Sequence, residues 1–216
     1  MILVINTSGK DLEFVLGDKY KSVAVEKQSV ALPAETEKFI TECGAKWSDI
    51  NAIGVVVGPG SFTGIRAGIT IARVLAQQTN IKLIGVPSSQ ILAKINKQAT
   101  NTLVLTDARK NKVYLSLYNC NGNALMEPML EDKEKITDYI KEQTQIISDK
   151  SIGEFLIELG FDSIQYEEND KDFGLYLSEI CYKELIKKNN DYNWAKVKPL
   201  YIQQPSITRP KAVTNV

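Results

Sequence analysis

Gly58-Pro59-Gly60-Ser61-Phe62-Thr63-Gly64 stands between an apolar run, Ile53–Val57, and a helical pattern, Ile65–Gln77. Such a turn brings free backbone N–H groups to the positive end of a helix dipole, an arrangement that suits an anion. The spacing is GxGxxxG, so it is neither the GxxxxGKS/T of a P-loop nor the GxGxxG of a dinucleotide fold. A dinucleotide fold would also place an acid roughly 20 residues on, at a strand end. Ile84-Gly85-Val86-Pro87-Ser88 offers none there. In the helix that follows, Gly64, Gly68, Ala72 and Ala76 recur every four residues and share one face. Each helical glycine costs about 1 kcal/mol relative to alanine. Close approach of another backbone would offset that cost, whether from this chain's own sheet or from a partner's helix. Arg66 and Arg73 lie on the same helix and point roughly the same way. They suit bidentate contact with a carboxylate, and they equally suit a solvated surface.

Carboxylates at strand ends are the remaining catalytic option. An actin-like phosphotransferase places an aspartate after its first strand to organise magnesium, and a glycine turn to hold phosphate. Here Asn6 stands at that point and is neutral; Asp107, in the second half, is followed by Ala108-Arg109 rather than glycine. A lone aspartate at a strand end also serves as a cap or turn residue. The chain has no histidine, which removes Ser-His-Asp and Cys-His catalysis, HExxH zinc sites and histidine general bases.

These residues need elements to place them. Ile2–Ile5 reads as a buried strand, Leu12–Leu16 as a second and Tyr20–Val25 as a third, with Gly17-Asp18 a hairpin turn. Leu32, Thr36, Phe39, Ile40, Cys43 and Trp47 predict a helix with Pro33 near its start and Gly44 near its end. Strands at Ile53–Val57 and Ile81–Val86 and a short helix at Ser88–Asn96 complete the first half. The pattern then repeats: Leu103–Asp107 matches Leu3–Thr7, and Val113–Leu117 matches Leu12–Leu16. A third strand after Asn121-Gly122-Asn123, a helix over Lys133–Glu142, a strand at Gln145–Ser148, helix at Ile152–Leu159, extended chain at Ser163–Tyr166 and helix at Phe173–Lys188 follow. The order βββαβαβα thus occurs twice, which predicts an α/β protein with mixed sheets covered by helices. Strand–turn–strand units also recur by chance in α/β chains; a duplicated domain makes the sharper reading, with lobes 1–100 and 101–216 meeting in Lys97–Asn101 and a mobile C-terminal end from Thr208-Arg209-Pro210-Lys211 onward.

Composition fits that picture. The 216 residues carry 26 Lys+Arg and 26 Asp+Glu, and 44% are hydrophobic. This is a folded chain, without the basic excess of a standalone phosphate-backbone binder. Cys43, Cys120 and Cys181 are widely spaced and form no CxxC, as expected of buried thiols in a reducing compartment. With no apolar run of about 18 residues and no signal-type opening, a cytoplasmic location is expected.

The stretch Gly58–Gly68 (GPGSFTGIRAG) resembles the signature of the bacterial TsaB (YeaZ) family of tRNA threonylcarbamoyladenosine biosynthesis proteins. Ile2–Ser8 is similar to that family's opening strand. Thr106–Tyr114 resembles its second-domain Asp-Ala-Arg…Val-Tyr pair, and Pro199–Ile202 its Pro-x-Tyr-Leu segment. The resemblance implies a duplicated actin-like (ASKHA, RNase H-like) fold and a non-catalytic subunit, paralogous to TsaD. TsaD would carry the histidine-bound metal and transfer the threonylcarbamoyl group to the adenosine beside the tRNA anticodon. It further implies a heterodimer with TsaD through first-lobe helices, with TsaE joining the pair and a homodimer when alone. ATP and metal would sit on partner subunits, with no cofactor here, and tRNA would be met only through the complex. Gly58, Pro59, Gly60, Ser61, Phe62, Thr63, Gly64, Arg66 and Gly68 carry the motif, with Ala72 and Arg73 further along the implied partner face. Asp107, Arg109 and Tyr114 match the second-lobe motif and take structural roles. The family commonly has Asp where Asn6 stands, and often His-Ser ahead of the first helix, where this chain has Pro33-Ala34-Glu35-Thr36.

Overall fold

The structure, a computed structural model, describes residues 1–166, 171–187 and 191–202. The first half forms β1 (Ile2–Asn6), β2 (Leu12–Leu16), β3 (Lys19–Val23), α1 (Gln28–Glu42), β4 (Ala52–Gly58), α2 (Phe62–Thr79), β5 (Lys82–Pro87) and α3 (Ser88–Ala93). The second forms β6 (Asn101–Arg109), β7 (Lys112–Tyr118), β8 (Ala124–Asp132), β9 (Thr144–Ser148), α4 (Lys150–Glu158), β10 (Ile164–Gln165) and α5 (Lys171–Ile186). Strand order is β3-β2-β1-β4-β5 in one sheet and β8-β7-β6-β9-β10 in the other, the same topology used twice. In each sheet the first strand lies centrally, antiparallel to the second and parallel to the fourth, as in Leu3↔Leu16 with Leu3↔Ile53 and Leu103↔Leu117 with Leu103↔Ile146. A central strand is covered on both faces, which is why Ile2–Ile5 and Leu103–Leu105 are unbroken apolar runs.

Alternation along β1 divides the first core. Leu3 and Ile5 face Leu32, Phe39 and Ile69 of α1 and α2. Ile2 and Val4 face Leu177, Ile180 and Cys181 of α5. Assigning all of 101–216 to the second lobe therefore does not describe the packing: α5 follows the second sheet in sequence and covers the first. The fit is close, since a Cβ at Gly54 in β4 would stand 2.5 Å from Cys181 Sγ. In the opposite sense, Leu92 and Ala93 of α3 pack with Val104, Tyr118 and Ile147 of the second sheet. Each half thus lends its last helix to the boundary between the sheets. The expected tail at Thr208–Lys211 lies outside the described residues, as does Lys188 at the end of the last predicted helix.

Two elements depart from the apolar spacing. The first helix starts at Gln28, ahead of Leu32, so Pro33 sits inside it. Gln28 Nε2 donates to the carbonyls of Gly9 and Lys10 at 3.0 Å, and this tie to the first hairpin extends the helix. The expected helix over 133–142 is a 3-10 turn, Lys133–Tyr139. Ile136 is its one fully buried side chain, too narrow an apolar stripe to define an α-helix.

Candidate functional site

The glycine-rich turn leads from β4 into α2, and much of its hydrogen-bonding capacity is spent internally. Ser61 N–H donates to the Ser8 carbonyl at 3.1 Å, and Ser61 Oγ accepts from Gly64 N–H at 3.2 Å. Two of the donors that an anion would use are thus engaged, the second in an N-cap.

The small-residue stripe faces inward. Gly64, Gly68, Ala72 and Ala76 are all buried in the first core side of α2. A Cβ at Gly64 would lie 2.0 Å from the Thr7 carbonyl oxygen, and one at Gly68 would lie 2.2 Å from Thr7 Oγ1. Thr7 Oγ1 donates to the Gly64 carbonyl at 2.7 Å, pinning helix to hairpin. The backbone that approaches the stripe is this chain's own, so Gly64, Gly68 and Ala72 are not the partner surface the resemblance suggested. The face of α2 turned to solvent is carried by Phe62, Thr63, Arg66, Thr70 and Val74. The neighbouring helix α1 exposes Val30 at 74% of its full area, the most exposed large apolar side chain of the first lobe, and α2 exposes Val74 at 49%.

Arg66 and Arg73 meet aromatic rings in place of a carboxylate. The Arg66 guanidinium lies 3.9 Å from the Phe62 ring centroid and 5.3 Å from that of Tyr201, and its Nε donates to Tyr201 Oη at 2.8 Å. Arg73 lies 5.5 Å from the Trp194 ring. The segment from Tyr192 to Tyr201 runs along the first lobe, tied by Leu200 N–H to the Val57 carbonyl at 2.8 Å. Trp194 is a residue that composition and spacing gave no reason to select. Tyr201 was signalled only by the Pro199–Ile202 resemblance.

Asn6 sits in a buried polar network. Its Nδ2 donates to Glu13 Oε2 at 2.6 Å, and its Oδ1 accepts from the Ser8 N–H at 2.9 Å and the Ser8 hydroxyl at 2.7 Å. Tyr20 Oη donates to Glu13 Oε1 at 3.3 Å. Burial, reinforced by the Glu13 charge, pushes the Tyr20 phenol up to about 12. An aspartate at position 6 would set a second carboxylate against Glu13, so the departure to asparagine suits its surroundings.

In the second lobe Asp107 pairs with Lys133 at 3.1 Å, while its backbone N–H donates to Asp149. Asp149 also caps α4, accepting from Ile152 N–H at 2.9 Å. Tyr114 is half-buried, and that burial raises its phenol above the usual range. Arg109 is exposed at the β6–β7 turn. The structure brings Gly60, Ser61, Phe62 and Thr63 to one wall of an interlobe cleft of about 1000 Å³, and Asp107, Arg109 and Tyr114 to the other. Among the described residues no group of three or more Cys, Asp or Glu comes together to hold a metal ion. No helix of the described residues is long and apolar enough to cross a membrane.

Comparison with known proteins places this geometry. A family model described as TsaD, tRNA N6-adenosine threonylcarbamoyltransferase, matches residues 22–189. A Bacillus subtilis protein named tRNA threonylcarbamoyladenosine biosynthesis protein TsaB is 30% identical over 139 residues, 61% of this chain and 60% of its own. The Escherichia coli protein of that name is 37% identical over 92 residues, 41% of this chain and 40% of its own. The chain thus spans about half the length of these curated relatives. YeaZ from Pseudomonas aeruginosa superposes with a TM-score of 0.71 at 18% identity, covering 93% of this chain and 98% of that one, which shows a shared fold. With most of its length inside the family model, and with the Bacillus subtilis and Escherichia coli relatives named TsaB, this two-lobed actin-like chain belongs to the TsaD family and resembles its TsaB (YeaZ) members.

Proposed function

We propose that this chain is a non-catalytic subunit that binds and stabilises a TsaD enzyme during threonylcarbamoyl transfer to the adenosine beside the tRNA anticodon. The observation that carries the reading is the internal use of the polar groups around the cleft. Asn6 serves Glu13 and Ser8, Ser61 caps α2, Asp107 holds Lys133, and Asp149 caps α4. Groups so engaged are poor candidates for moving a proton or gripping a phosphate. The names of the curated relatives support the pathway.

The docking face in this reading is the outer side of α1 and α2, centred on Val30 and Val74. It replaces the buried stripe as the place where the partner's helices meet this chain. TsaE joins the pair, the isolated chain self-associates, and nucleotide and metal reside on the partners, all in the cytoplasm. Co-purification with TsaD, followed by a tRNA modification assay with and without this chain, tests the proposal: modification should require the chain.

The interlobe cleft itself favours a second reading, an autonomous actin-like phosphotransferase, since both repeated hairpins open onto it. Magnesium-dependent ATP turnover by the isolated chain separates the two, and the scaffold reading expects none.

A further inference from the structure

The β6–β7 turn does not serve the docking face on α1 and α2, yet its backbone is unusual. Arg109, Lys110 and Asn111 have φ of 63°, 50° and 59°, three consecutive non-glycine residues in the left-handed region. Such a conformation is costly for arginine and lysine and concentrates at functional positions. The turn projects both cations to solvent, and neither has an ion-pair partner among the described residues. By contrast Lys112, one strand position on, is neutralised by Asp132 at 2.7 Å.

These cations border a groove of about 760 Å³ between the two lobes, which shares Phe62, Arg109 and Tyr114 with the larger interlobe cleft and adds Lys110, Leu200 and Tyr201. Aromatic rings line the same groove: Phe62 from the start of α2, Tyr114 from β7 and Tyr201 from the C-terminal segment. Phe62 and Tyr201 are each 48% exposed. Their ring centroids are 6.0 Å apart, and Arg66 fixes both, stacking on Phe62 and bonding Tyr201 Oη. Aromatic faces held rigid beside unneutralised cations are what an unpaired nucleic-acid strand uses, bases on the rings and phosphates on the cations. An acidic peptide would use the cations and leave the rings idle.

We infer that this groove binds a single-stranded segment of RNA, with Arg109 and Lys110 on its phosphates and Phe62, Tyr114 and Tyr201 under its bases. This chain then contacts RNA directly, beyond its role as a docking subunit. The inference rests on the proposed function only for the choice of tRNA as the probe.

The test measures tRNA binding to the full chain, alone and with TsaD, across a salt series, for wild type and for R109N/K110N. Asparagine tolerates left-handed backbone, so the turn should be kept. Each lost phosphate contact on a single strand lowers the log–log salt slope by about 0.7, so the double variant should lose about 1.4. Its affinity at low salt should fall roughly tenfold. Tyr114→Ala should weaken binding and leave the salt slope unchanged, because stacking releases no counterions. Heterodimer formation, read by size-exclusion chromatography, should be unaffected by either change. Unchanged RNA affinity and slope in R109N/K110N, with the heterodimer intact, overturns the RNA groove and leaves the proposed function standing. Loss of the heterodimer with RNA binding intact makes the groove a protein-docking surface and equally overturns it.

Discussion

The two lobes share one strand order, yet the helix after the fourth strand is seated by opposite means. In the first lobe α2 lies close on the opening hairpin, with Gly64 against the Thr7 carbonyl and Gly68 against the Thr7 side chain. In the second, the nine-residue α4 seats itself through side chains, Ile152 and Leu156 packing with Leu103, Leu105 and Leu115. The atoms nearest a Cβ at its Gly153 belong to the side chain of Gln165. Bringing α2 so close leaves eighteen residues of helix with a broad outer face beside α1. A small-residue stripe on a helix thus marks the side that settles inward on its own sheet and leaves the opposite side to solvent.

Alanine at the two glycines should break this symmetry most visibly. Gly64→Ala drives a methyl into the Thr7 carbonyl, a backbone atom that cannot rotate away, and should cost about 3 kcal/mol in chemical denaturation. Gly153→Ala displaces the flexible end of Gln165 and gains helix propensity, so it should stay within about 1 kcal/mol of wild type. Equal losses at the two sites would mean that α2 is not packed as described.

The caps should differ less. Asp149 holds both Ile152 N–H and the Asp107 N–H, so Asp149→Ala should cost about 2 kcal/mol. Ser61→Ala, which removes a single bond of 3.2 Å, should cost about 0.5–1 kcal/mol in the same denaturation experiment.

The smallest effect belongs to the polar network of the first lobe. Tyr20 holds its proton more tightly when folded, near 12 against an ordinary 10. Above pH 10 the unfolded chain therefore binds fewer protons than the native one. This contribution is fully present below about pH 10 and is lost as pH rises toward 12. A pH series of melting temperatures should show the decline in wild type and a shallower one in Tyr20→Phe.

How far these features could be read in advance depends on what spacing encodes. Ile2–Ile5 and Leu103–Leu105 specify central strands because burial on both faces leaves a continuous apolar run, and the repeat followed from them. The four-residue recurrence of Gly64, Gly68, Ala72 and Ala76 fixed which residues share a face; it carries no information on whose backbone fills it. The same ambiguity hides the placement of α5, whose buried Leu177, Ile180 and Cys181 would suit either sheet. Arg66 and Arg73 were legible as a pair on one helix face, whereas Tyr201 and Trp194, which they meet in addition to Phe62, lie more than a hundred residues away in sequence. Pro33 misled about the start of α1 because Gln28 is held by carbonyls of a distant hairpin.

The outer face of α1 and α2 is the most direct place to test the account. Val30 and Val74 are exposed and contribute little to the core, so V30D/V74D should leave the melting temperature of the isolated chain unchanged. Titrated calorimetrically against TsaD, this variant should bind at least tenfold more weakly than wild type, as expected when a charge enters the centre of an apolar contact. Undiminished affinity for TsaD would contradict the account.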